Sequence, residues 1–172
     1  MKNVVKKYGL YAALTSAMLF VVSFMIGRNL SYGTQEVLGY ISIILPLVFV
    51  YFAIKYYRDT EKEGFISFKE ALMLGLMITL CTAIAIAFAD LLITTVIYPE
   101  FVTEYSETML QKLKETVPAE QFEVKKAELM AQIEAYGTPG FMALLMFVTV
   151  MLIGFVMSLL SSLILKRTPA MA

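Results

Sequence analysis

Asp90 is the single charge in the run "AIAIAFADLLITTVI" (residues 83–97), and it is the first side chain in this sequence that could do chemistry. An acid set among apolar residues either handles protons or ions, or is kept as a neutral or hydrogen-bonded part of the packing. On a helix, Gly75, Thr79, Ala83, Ile86, Asp90 and Thr94 recur at three- and four-residue steps and share one stripe. That stripe is small and polar, which predicts the side turned towards other helices. Asp90 precedes Tyr98 by eight residues, so it lies about 12 Å below that end of the helix at 1.5 Å per residue. Insertion of a central Asp costs about 2.5–3.5 kcal/mol and less nearer the interface, a cost that a structural acid can survive. The candidate polar site is therefore Asp90 with Thr79, Thr94 and Arg28. Its structural reading pairs the carboxyl with a hydroxyl or with Arg28, and the alternative reading is ion or proton handling.

Other chemistries are poorly provided for. The chain has no His and a single Cys, Cys81, so imidazole bases, His metal sites and cysteine clusters are excluded. Cys81 lies in an apolar run and reads as a small packing residue. Twelve Met, with Met73/Met77 and Met142/Met146 at helical spacing, invite a Cu(I) reading, yet Met is also a common apolar filler. No Gly-rich phosphate loop, nucleophile elbow or paired-acid motif occurs. The expectation is a protein that is not an enzyme and has no cofactor and no metal site. Fourteen basic residues balance fourteen acidic ones, which argues against a nucleic-acid partner.

The elements that must position Asp90 are set by composition. The 172 residues are 59% hydrophobic and 16% charged, with a mean hydropathy of +0.75; soluble domains are about 45–50% apolar and about 25% charged. Four runs reach the roughly 20 apolar residues that a membrane helix needs, at 8–27, 37–54, 71–97 and 140–165. Lys2, Lys6 and Lys7 precede the first run as in a signal peptide, but the run is too long and lacks an A-x-A-like site, so it reads as a retained anchor. "SFKE" at 67–70 reads as a capping box before the third span.

Nine Lys and Arg lie at the N-terminus, in the 55–70 loop and at the C-terminus; Arg28 and four Lys lie on the other side. The positive-inside rule puts both termini and the 55–70 loop in the cytoplasm. Tyr8, Tyr56 and Tyr57 then sit at the inner interface, and Tyr32, Tyr98 and Tyr136 at the outer one.

The segment 98–139 carries eight Glu against four Lys. Val102, Tyr105, Met109 and Leu113 recur at helical spacing, as do Phe122, Leu129, Ile133 and Tyr136, with Pro118 near the start of the second set. This predicts an extracytoplasmic, acidic, amphipathic helical hairpin whose stripes pack on each other, on the bundle or on a protein partner. Gly9, Ala13 and Ala17 in the first span, and Gly154, Ser158 and Ser162 in the fourth, are helix-packing faces at four-residue spacing. They serve intramolecular packing, with a homodimer face as the alternative.

"GFISFKEALMLG" (64–75) resembles bacterial four-span membrane proteins catalogued as domain of unknown function 4199, through Gly64, Ile66, Ser67, Phe68, Ala71 and Gly75. The resemblance continues in "YPEF" (98–101), "PGFMAL" (139–144) and "GFVMSLLSSLILKR" (154–167). It implies a four-span membrane fold and supplies no activity, ligand or catalytic residue. The fold expected is an all-α integral membrane four-helix bundle with the extracytoplasmic hairpin between spans three and four. The setting expected is the bacterial cytoplasmic (inner) membrane, with the lipid bilayer as first partner. The role expected is a scaffold, assembly or regulatory component; a small proton-coupled transporter or channel using Asp90 is the alternative.

Overall fold

A computed structural model describes residues 1–27 and 30–168, and the backbone alone of Tyr32. Among the described residues there are six α-helices: α1 (Lys2–Gly27), α2 (Tyr32–Tyr56), α3 (Phe68–Leu92), α4 (Phe101–Thr116), α5 (Ala119–Tyr136) and α6 (Pro139–Leu165). One wider turn of π-helix extends α2 through Tyr57–Glu61, and another extends α3 through Ile93–Ile97. Four stretches are long and apolar enough to cross a membrane: Lys2–Gly27, Gly33–Glu61, Phe68–Ile97 and Pro139–Leu165. The first three overrun the apolar runs that mark them in the sequence, taking in Lys2, Lys6 and Lys7, Lys55 and Lys69, whose charged ends can reach water.

The helix starts have local causes. Ser67 Oγ accepts the Glu70 amide at 3.2 Å, and the Ser67 amide donates to Glu70 Oε2 at 3.3 Å, which is the reciprocal capping box read from "SFKE". Glu70 also accepts Lys62 Nζ at 2.7 Å, and that contact holds the Lys62 pKa above its usual value. Pro118, extended at φ −54° and ψ 144°, precedes α5 and separates it from α4. At α6, Thr138 Oγ1 accepts the Phe141 amide at 3.4 Å, and Pro139 fills the first helical position, where a missing N–H costs nothing.

The chain divides into two compact units. The first holds residues up to Ala89 and from Met146 onward, with a core that includes Leu47, Ile54, Leu74, Ile78, Ile86 and Val150. Its helices meet at small residues. A Cβ on Gly9 would stand 3.1 Å from Cys81 Sγ, and one on Gly75 would stand 2.7 Å from Ser158 Oγ and 3.0 Å from Val50 Cγ1. A Cβ on Gly154 would run into Thr79 Cγ2. Lipid offers no hydrophobic drive between helices, so close approach through small side chains is what holds them.

One end of this unit is tied by polar contacts. Arg58 is buried; its Nε donates to Asp59 Oδ1 at 2.6 Å and its Nη1 to the Leu165 carbonyl at 3.3 Å. Ile66 and Arg167 exchange amide-to-carbonyl bonds, both 3.0 Å. The carbonyls at the C-terminus of α6 thus gain partners that the helix itself cannot supply.

The second unit is Asp90–Leu145. Lys114, near the end of α4, lies 6.0 Å from the centre of the Phe122 ring, near the start of α5. Val102, at the start of α4, lies 3.2 Å from where a Cβ on Gly137 would sit, just past α5. No residue of α4 or α5 is buried.

The outward side chains of the long helices are apolar: Met18 is 70% exposed, Leu152 64% and Ile164 69%. Contiguous apolar surface of this kind is not tolerated in water. It marks a bilayer as the surroundings.

Candidate functional site

The stripe on α3 is the buried line of that helix. Gly75, Thr79, Ala83, Ile86, Asp90 and Thr94 are all buried. Sequence spacing alone selected this set, since three- and four-residue steps are the only ones that keep side chains on one face of a helix.

The hydroxyls along it are engaged locally. The Thr79 and Ser158 hydroxyls lie 3.3 Å apart. Ser162 Oγ donates to the Ser158 carbonyl at 2.6 Å, and Thr82 Oγ1 to the Ile78 carbonyl at 3.1 Å. Such donation back to the preceding turn is how an apolar helix satisfies a hydroxyl without water.

Asp90 is 6% exposed. The Thr94 hydroxyl approaches it, but donates to the Asp90 main-chain carbonyl at 2.9 Å and not to the carboxylate. Among the described residues, Asp90 Oδ2 has no hydrogen-bond partner. Arg28, the expected cationic partner, lies outside the described residues, as does the side chain of Tyr32. Of the three expected residues that are described, Thr79 is engaged with Ser158 and Thr94 with main chain, so neither hydroxyl is bonded to the Asp90 carboxylate.

The packing faces divide similarly. Gly154, Ser158 and Ser162 are all buried on α6, with Gly154 and Ser158 set against α3. On α1, Gly9 is buried, but the line continues through Ala12 and Ser16; Ala13 and Ala17 are half-buried. Sequence reasoning missed this because Ala12 and Ser16 fit helical spacing from Gly9 as well as Ala13 and Ala17 do. It also counted Arg58 only as a topology charge. The available signal was its position four residues after Ile54, on the continuation of a buried face.

Among the described residues no three His, Cys, Asp or Glu side chains come together in a way that could hold a metal ion.

Fold and site together define an all-α, membrane-type bundle with a buried carboxylate on α3 that is partly unsatisfied among the described residues. The chain belongs to the family described as "Protein of unknown function (DUF4199)", whose model matches residues 7–167. No curated protein and no solved structure matches it.

Proposed function

We infer that the protein is a non-enzymatic component of the bacterial inner membrane that acts through protein contacts made by the 98–139 segment, as scaffold, assembly factor or regulator. The observation that carries this reading is the exposure of α4 and α5. None of their residues is buried, and Val124 and Met130 are 62% and 45% exposed. Amphipathic helices normally bury their apolar side against something. With eight Glu and four Lys, the segment suits a partner bearing basic as well as apolar surface. Excision of residues 103–136 tests the assignment. A homodimer through the small-residue faces finds less support, since Gly9, Gly75 and Gly154 are each set against another helix of the same chain.

In this reading the termini and the 55–70 loop are cytoplasmic, and residues 98–139 lie outside. Thr60 and Glu120 are both exposed. With Cys81 replaced, single cysteines at Thr60 and Glu120 are expected to react with an impermeant thiol reagent from opposite faces of sealed vesicles. Reaction of both from the same face would overturn the arrangement.

A second reading, proton or ion passage using Asp90, is favoured by one observation: among the described residues, Oδ2 of this buried acid has no hydrogen-bond partner. Asp90→Asn keeps the size and shape of the side chain. If Asp90 carries protons, the variant is expected to fold and to abolish flux driven by a pH gradient in reconstituted vesicles. If the acid is structural, folding and cellular function are expected to persist. Retained flux in the Asn variant would eliminate the carrier role.

A further inference from the structure

An open groove of about 390 Å³ runs along α3 on its outward side. Leu72, Met73, Met77 and Leu80 line it, Met151 of α6 contributes from across, and Lys69 stands at one end. Met73, Met77 and Leu80 are all exposed, so the groove opens into whatever surrounds the bundle. We propose that this groove is a binding site for an anionic phospholipid, with one acyl chain laid along Leu72–Leu80 and the headgroup phosphate held by Lys69.

Three observations favour this occupant over a protein helix or a second copy. The first is length. From Lys69 to Leu80 the helix rises about 17 Å, close to the roughly 15 Å that is half of a bilayer's hydrocarbon core. The groove thus matches the depth of one leaflet, and Lys69, the one charge among its described lining residues, stands at headgroup height.

The second is charge. Lys69 makes no ion pair among the described residues, while the neighbouring Glu70 is taken by Lys62 at 2.7 Å. One carboxylate is neutralised within the protein and one ammonium is left for a ligand. The position favours an anion further, because Lys69 lies in the first turn of α3, at the positive end of its dipole.

The third is the lining. Met side chains are unbranched and adaptable, which suits a flexible chain of variable length better than a fixed interlocking surface. A bare helix face elsewhere on the bundle offers lipid a surface; here two helices offer a slot with a counter-charge at its mouth.

The chain contains no Trp, so an introduced one reports from a single place. Full-length protein carrying Met77→Trp reads the groove, and protein carrying Leu14→Trp reads an outward position on α1. Each is reconstituted in phosphatidylcholine vesicles, with brominated phosphatidylglycerol or brominated phosphatidylcholine as quencher. At Met77→Trp the anionic quencher is expected to bind about fivefold more strongly than the zwitterionic one, the factor that one cation supplies beside an anionic headgroup. At Leu14→Trp the ratio is expected to be near one. Adding Lys69→Gln to Met77→Trp is expected to bring the groove ratio down to the Leu14 value, and Lys69→Arg to preserve it. Should Met77→Trp fail to fold, Leu80→Trp reads the other end of the same groove. Equal ratios at the groove and at α1 would overturn the proposal, as would a groove preference indifferent to Lys69→Gln.

Discussion

Gly154→Ala is expected to destabilise the helical core by about 1–3 kcal/mol, the usual cost of forcing atoms into a filled interior. The added methyl meets three atoms of Thr79: it runs into Cγ2, and would stand 2.6 Å from Oγ1 and 2.9 Å from Cβ. α3 and α6 must then separate, and the 3.3 Å contact between the Thr79 and Ser158 hydroxyls goes with them. Thr79→Ala in the same chain removes Cγ2 and Oγ1, so part of the loss is expected to return. The single Thr79→Ala variant forgoes that hydroxyl contact, which costs about 0.6 kcal/mol in membrane helices. Reversible unfolding in mixed micelles, run as a double-mutant cycle, measures the coupling, expected at about 0.5–3 kcal/mol for side chains in contact. Strict additivity would mean that the two residues do not meet.

Excision of residues 103–136, rejoined through a short Gly/Ser turn, is expected to leave a folded, membrane-inserted protein with no cellular function. The ends to be joined are already neighbours, since Val102 lies 3.2 Å from the position of a Gly137 Cβ. Helices in bundles are commonly joined by about 2–8 residues, so a chain that only needed to turn back had no use for some forty. Nothing excised is buried, and the core of Leu47, Ile54, Leu74, Ile78, Ile86 and Val150 belongs to the other unit. The thermal midpoint in detergent should therefore change little, while the phenotype should match that of a strain lacking the protein. A collapse of the midpoint would make the segment a structural part of the bundle. An unchanged midpoint with normal function would remove the contact role.

Both variants probe features that were legible in the sequence to different degrees. The long helices announce themselves through runs of apolar residues longer than any soluble helix needs, and the α3 start through Ser67 and Glu70 at capping-box spacing. The break at Val117–Pro118 follows from a residue without an amide hydrogen. The buried α3 stripe was legible because its small and polar members stand out against Leu, Ile and Phe. These features are local: each depends on residues within a few turns of one another, so the amino-acid order alone determines them.

Tertiary structure decided which small residue meets which. In water, an apolar stripe tells a helix which side to bury. In lipid both sides are apolar, because acyl chains are as hydrophobic as Leu, so hydrophobic periodicity loses its meaning and steric fit takes over. Hence α1 buries Ala12 and Ser16 along with Gly9, while Ala13 and Ala17 are half-buried. Gly154 meets Thr79 and Gly75 meets Ser158, across some eighty residues of sequence. Arg58, a loop charge by sequence, is buried because a carbonyl at Leu165, 107 residues away, lacks a helical partner. The groove beside Lys69 likewise exists only where α6 sets Met151 across from α3. Sequence alone determined that four helices are long and apolar enough to cross a membrane and which residues of α3 turn inward. Contact between helices determined the rest, since only there do the shapes of facing side chains decide what fits.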